Sequence, residues 1–288
     1  MLPLIYHDAY DLNLGAHVFP SRKYRMIKDR LGLPTVTPEA ATDEDILRVH
    51  TKAWMEGLRD GTLREAEIMR LEIPWSREMA RAFRLAAGGT ILATELAVKS
   101  GGAYNIGGGF HHAYPAHGEG FCAIHDVAVA IRKYGRRAIV VDVDVHHGNG
   151  TAAIFANDED VYTLSIHQWN NYPSLKPPSD CDLHLDDGVG DEEYLKILRP
   201  ALNKALDEHN PEILFYVAGA DPYEFDQLGG LNLTIEGLRR RDELVLGESV
   251  RRNIPFVVTL AGGYARDVED TVTIHANTAL AAAEALRA

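Results

Sequence analysis

Short apolar runs alternate along the chain with longer stretches in which apolar residues recur every three or four positions. That alternation predicts βαβ units around a parallel sheet. Residues 4–7, 103–107, 138–145, 161–166, 213–218 and 256–260 read as strands. Most are apolar without interruption, as expected of strands covered on both faces. Thr42 with Asp45 resembles a capping box opening a helix that runs to about Leu58. The stretch 77–99 has Met79, Phe83, Ala87 and Ile91 at helical spacing and stops at Gly101-Gly102. Further helices are expected over 125–134, 192–209, 234–252 and 266–287. Residues 168–189 contain Pro177-Pro178 and little periodicity, and read as a long loop of the kind that shapes binding sites. No repeat, low-complexity tract or linker divides the chain, so residues 1–288 read as a single domain.

Five of the apolar strands run into polar or glycine-rich sequence. The continuations begin at Gly107, Asp142, Ser165, Ala220-Asp221 and Ala261. In a parallel sheet these C-terminal ends share one edge, where open α/β sheets bind ligands. Asp142, Asp144 and His146 follow the run Ala-Ile-Val-Val at i, i+2 and i+4. Alternation along a strand would put all three on one face. Two carboxylates and an imidazole on a buried strand repel and lose hydration unless a cation is present. Asp and His donors suit zinc or a similar divalent metal. Asp221, ending another strand, is the best third ligand. Three protein ligands with one open position is the layout of a catalytic site.

His111-His112 follows Gly107-Gly108-Gly109. Adjacent histidines suit an exposed loop, but beside a metal crevice they are candidates for general acid and base. Tyr264, after Gly262-Gly263, either packs or donates a hydrogen bond to a developing oxyanion.

Composition narrows the picture. The 288 residues are 46% apolar, enough for a sizeable core, and no apolar run reaches the roughly 18 residues a membrane helix needs. The N-terminal residues lack the basic and apolar regions of a signal peptide. The two cysteines, Cys122 and Cys181, exclude a disulfide framework, and a reducing cytoplasm fits. A net charge of −13 argues against nucleic acid and is compatible with a cationic ligand, although solubility alone also accounts for it.

The blocks Gly-Gly-Gly-Phe-His-His-Ala (107–113), Gly-Phe-Cys (120–122), Asp-Val-Asp-Val-His-His-Gly-Asn-Gly (142–150), Ala-Gly-Ala-Asp-Pro (218–222) and Ala-Gly-Gly-Tyr (261–264) resemble, in order, the signature blocks of the zinc-dependent histone deacetylase family. The resemblance extends over residues 3–265. Asn149, Leu-Gly-Gly-Leu (228–231) and the basic stretch at 239–245 look most like the class IV branch and its bacterial relatives. It implies an α/β, arginase/deacetylase-like three-layer fold, with a mostly parallel sheet of about eight strands flanked by helices.

It also implies roles for matching positions. Asp144, His146 and Asp221 match the ligands of one catalytic zinc ion. His111 and His112 match the catalytic pair, with His112 the principal base and acid. Tyr264 matches the oxyanion-stabilising tyrosine and Asp142 the partner of His111. Asp142, Ser165 and the Ile166 backbone resemble a structural potassium site. Gly120 and Phe121 match a tunnel for a lysine stem, with Tyr172 and Leu228 completing its walls. Many family members pair the second histidine with an aspartate; Asn149 stands there instead. A neutral amide orients an imidazole without stabilising its cation, so Asn149 is expected to keep His112 neutral.

The expected reaction is hydrolysis of N-acyl-lysine amides, carrying acetyl or long fatty acyl groups. The alternative is deacylation of small acylated amines such as acetylpolyamines. More distant readings are a dimetal ureohydrolase, disfavoured because Pro-Tyr-Glu follows Asp221, and a non-catalytic acyl-lysine reader. The expected partner is an acylated lysine or amine, with neither nucleic acid nor membrane; the oligomeric state is left open.

Overall fold

The computed structural model describes residues 2–287. Among them, seven strands form one sheet in which all neighbours are parallel: β1 (Leu4–Ile5), β2 (Gly102–Asn105), β3 (Ala138–Asp142), β4 (Val161–Gln168), β5 (Cys181–Leu185), β6 (Ile213–Val217) and β7 (Phe256–Thr259). Their order across the sheet is β1-β2-β7-β6-β3-β4-β5. The helices are α1 (Lys23–Leu31), α2 (Asp43–Leu47), α3 (Lys52–Asp60), α4 (Glu65–Leu71), α5 (Arg77–Ser100), α6 (Asp126–Tyr134), α7 (Asn149–Phe155), α8 (Asp191–His209), α9 (Ile235–Arg251) and α10 (Val268–Ala285). Helices α2, α3, α5 and α6 pack as one group and α1, α8, α9 and α10 as another. Strand β2 touches both α5 and α10, so the sheet lies between the groups. The expected three-layer architecture is present, with seven strands where about eight were anticipated.

The departures have local causes. The helix expected to run from Thr42 to about Leu58 is two helices. Thr42 caps α2 by accepting from Asp45 N at 3.1 Å, and Thr51 caps α3 by accepting from Trp54 N at 3.3 Å. A second capping threonine ends the first helix because its side chain competes for the backbone donors. Between them His50 Nε2 accepts from His125 N at 3.0 Å, tying the break to α6. The supposed long loop contains β5. Its sequence, Cys-Asp-Leu-His-Leu, alternates and is half exposed, as an edge strand permits, so it lacks the apolar run that marks inner strands. Helices α1, α4 and α7 were not anticipated.

Candidate active site

The five strands whose ends looked unusual are β2, β7, β6, β3 and β4, which stand consecutively in the sheet. Their C-terminal ends make one continuous floor. The strand before the Asp-x-Asp-x-His motif is shorter than expected: β3 stops at Asp142, so Asp144 and His146 are not placed by strand alternation. Asp142 Oδ1 accepts from Asp144 N at 3.2 Å and Asp144 Oδ1 from His146 N at 3.0 Å. Aspartates that capture nearby backbone donors turn the chain out of a ladder. The loop stays pinned on both sides. Val143 N donates to Val217 O at 3.1 Å, and Gln168 N donates to Val145 O at 2.9 Å.

Asp221 arrives from the end of β6, and its Oδ1 accepts from Val145 N at 2.8 Å. Gly262, beyond β7, donates its N–H to Asp144 Oδ2 at 2.8 Å. A Cβ at Gly262 would lie 1.9 Å from Asp221 Oδ2, so only glycine lets the backbone come this close. Beneath the loop the fully buried Arg241 donates to Gly219 O at 2.7 Å and Val143 O at 3.3 Å, and pairs with Asp242 at 2.8 Å.

One donor atom each from Asp144, His146 and Asp221 lies within 4.8 Å of the other two. His146 Nδ1 is 3.0 Å from Asp144 Oδ1 and 3.3 Å from Asp221 Oδ2. The latter contact lacks hydrogen-bond geometry, which leaves Asp221 Oδ2 buried and unpartnered. Burial, then the Asp144 charge, push Asp221 up to about 7. Burial opposes a charge on His146, yet Asp144 and Asp221 hold it at about 10. The cluster thus holds more negative charge than its surroundings balance, and an orphaned carboxylate oxygen points into it. Those are the properties of a divalent-cation site, and the donors fit zinc.

His111 Nδ1 lies 2.7 Å from Asp142 Oδ2. Burial disfavours its cation, but Asp142 and Asp144 raise its pKa to about 9. His112 Nδ1 lies 2.7 Å from Asn149 Oδ1. Its pKa is driven well below the ordinary imidazole value by burial, then by His111 and His146; the Asn149 hydrogen bond acts weakly in the opposite direction. The expected neutrality is there, but its main cause is desolvation rather than the amide. Asn149 Nδ2 in turn donates to Glu119 Oε1 at 2.6 Å, and Tyr172 O–H donates to the same oxygen at 3.3 Å. Tyr264 keeps its phenolic proton, because burial and the Asp144 and Asp221 charges raise its pKa well above 10.

A cavity of about 170 Å³ joins these groups. Its lining includes His112, His146 and Tyr264 together with Gly120, Phe121, Tyr172 and Leu228, so the expected wall residues and reacting groups share one space. The His112 ring stands 5.1 Å from Tyr172 and 5.9 Å from His146, and Tyr264 is 6.5 Å from His146. Gly120 has φ +52°, and a Cβ there would meet His112 Cδ2 at 2.7 Å. Asp142 and Ser165 are register partners on β3 and β4, but Ser165 Oγ engages His167 Nδ1 at 3.0 Å. The potassium site expected of Asp142, Ser165 and Ile166 gains no support from this geometry.

Several contributors escaped the sequence reading. Glu119 sits inside the Gly-Glu-Gly-Phe-Cys block. Lys23 is fully buried, donates to Ala261 O at 2.9 Å and faces the Tyr264 ring at 5.7 Å. Burial lowers its ammonium to about 8. Asp226 accepts from Leu228 N at 2.8 Å and Tyr264 N at 2.7 Å, fixing a wall residue to the candidate oxyanion donor. Asp126 accepts from Gly109 N and Phe110 N at 3.0 and 2.9 Å and anchors the loop before the two histidines. Of these, only Asp126, at the first turn of α6, carried a local signal.

Comparison with known proteins identifies the family. The histone deacetylase domain profile matches residues 17–280. An uncharacterised protein of Picosynechococcus sp. is 37% identical over 291 residues, covering 95% of each chain. Histone deacetylase 2 of Arabidopsis thaliana is 32% identical over 298 residues, covering 93% of this chain and 77% of its own. The crystal structure of the HDA15 HD domain superposes with a TM-score of 0.80 at 21% identity, over 99% of this chain and 90% of that one, which speaks to the fold. The chain belongs to the histone deacetylase family and has the hydrolase fold of that family.

Proposed function

We propose that the protein is a zinc-dependent hydrolase of N-acyl-lysine amides of class IV type, a reading supported by Asn149 and the 228–231 and 239–245 stretches, and that it works in the cytoplasm. The observation that carries this reading is the shared cavity. His146 of the buried three-donor cluster, a neutral imidazole and a protonated phenol line one narrow space whose other walls are mostly apolar. Asp144, His146 and Asp221 would hold the metal. Zinc held there supplies Lewis-acid polarisation of the acyl carbonyl and lowers the pKa of water to about 7 in favourable sites.

The remaining work belongs to the side chains. His112 Nε2 takes the proton of the attacking water and returns it to the departing amine. Asn149 fixes the His112 ring through Nδ1, and Glu119 fixes Asn149. His111, held by Asp142, places positive charge near the developing anion. The Tyr264 hydroxyl donates to the oxyanion; losing one such donor typically lowers the rate by about 10²–10³-fold. Phe121, Tyr172 and Leu228 clasp an aliphatic stem and exclude water.

The test is turnover of lysine peptides carrying acetyl, octanoyl or myristoyl groups by the zinc-loaded protein. The His112→Ala variant serves as blank. Turnover that vanishes in the blank supports the reading, and the preferred chain length separates acetyl from fatty-acyl chemistry. Turnover of acetylpolyamines alone would transfer the function to small amines. Tight binding of acyl peptides without turnover would make the protein a reader.

A further inference from the structure

Ligand-type side chains also gather outside the cavity, toward the open edge of the sheet. His147 follows the candidate ligand His146, His167 lies on β4, and Asp182 on the edge strand β5. One donor atom from each lies within 4.8 Å of the other two. The parallel register creates this group: Ser165 pairs with Asp182 and His167 with His184, and residues two apart share a face. His147 and His167 are fully buried, Asp182 is half-buried and His184 is exposed, so the group can be approached from solvent along the strand edge.

We propose that His147, His167 and Asp182 form a second site for a divalent transition metal, of zinc type. It would clip the loop carrying the first site's ligands to the edge of the sheet. Two imidazoles and a carboxylate are a zinc-type donor set. The spacing fits a shared metal. His147 Nε2 meets Asp182 Oδ1 in a hydrogen bond of 3.1 Å, longer than the 2.7 Å of the His111–Asp142 pair. Two ligands at zinc-bond length in a tetrahedron stand roughly 3.3 Å apart. The Asp144–His146–Asp221 cluster has the same openness, with contacts of 3.0 and 3.3 Å. His167 Nδ1 meets Ser165 Oγ at 3.0 Å, the outer contact that fixes a ligand imidazole. That leaves Nε2, now 3.0 Å from His184 Nδ1, as its donor. His184, or Ser179 Oγ at 3.4 Å from His147 Nε2, is placed to complete the coordination.

This site stands independently of the proposed reaction, and binding rather than activity tests it. The full-length protein is stripped with a chelator and titrated with zinc chloride by calorimetry, and bound metal is counted after desalting. The native chain is expected to hold two equivalents, Asp221→Asn one, Asp182→Asn one and the double variant none. In Asp221→Asn, zinc is expected to raise the melting temperature, and this rise should be absent from the double variant. His167→Gln provides a second disruption, with circular dichroism confirming that each variant folds. Loss of the second equivalent in either folded variant supports the site. An Asp221→Asn variant that binds no zinc overturns it, as does a zinc stoichiometry that is the same in the native chain, Asp182→Asn and His167→Gln.

Discussion

Asn149 links His112 to a carboxylate one step further away, since its amide accepts from or faces His112 Nδ1 while donating to Glu119. The negative charge is kept at a distance and desolvation of the imidazole prevails. Asn149→Asp brings the charge into direct contact. A carboxylate partner favours imidazolium, so the His112 pKa rises and its base form is lost at higher pH. The acidic limb of the kcat/KM profile should move upward by about one unit or more. An unmoved limb would show that His112 is not the titrating base. Glu119→Ala removes the acceptor of Asn149 Nδ2 and frees the amide to rotate and present its NH₂ to His112. Loss of such an outer contact costs about 10–100-fold, here expected in kcat with KM little changed. A variant with native kcat would leave Glu119 no orienting role.

At the scale of elements, much was legible where burial writes itself into composition. The inner strands β3, β6 and β7 are covered on both faces, so their apolar runs stand out, and their polar C-terminal ends marked the site. Legibility failed where tertiary contacts decide. Strand β5 is a half-exposed edge with polar residues on alternate positions, and α3 begins where Thr51 finds a backbone donor. The end of β3 was misplaced because the apolar residues continue through Val143 and Val145 while the side-chain oxygens of Asp142 and Asp144 turn the backbone. Glu119, Lys23 and Asp226 act only through groups brought to them by distant segments. The turn after β7 carries its own prediction. Gly262→Ala places a methyl carbon against Asp221 and Asp144 and must displace either the backbone or the ligands. Zinc affinity is expected to fall by about 10–100-fold with the fold retained, measured by competition with a chromophoric chelator. Unchanged affinity would mean that the ligand carboxylates tolerate displacement.

Across the whole molecule, charge burial sets the response to acid. His50, His125 and His275 are buried and their pKa values are lowered chiefly by desolvation, His50 to about 4. Below the ordinary value of 6.5 the unfolded chain takes up protons that these folded imidazoles refuse. Their contribution to stability therefore falls as pH drops from 6.5 toward 4, while Asp221, raised to about 7 without a metal, opposes it; in zinc-loaded protein, where Asp221 would stay ionised, the melting temperature should decline over that window. A flat profile would mean that these histidines are hydrated in the folded protein. Among the described residues no helix is long and apolar enough to cross a membrane.

The position of β7 bears on how the molecule comes into being. The last strand in sequence among the described residues does not sit at an edge; it fits between β2 and β6. Until residues 256–259 emerge during synthesis, β1-β2 and β6-β3-β4-β5 are two separate half-sheets without a bridging partner. Contacts so distant along the chain form late and slowly. The turn that delivers Gly262 and Tyr264 follows that same strand, so both reach the site only once β7 is in place. Closing the sheet and completing the candidate site are thereby one event.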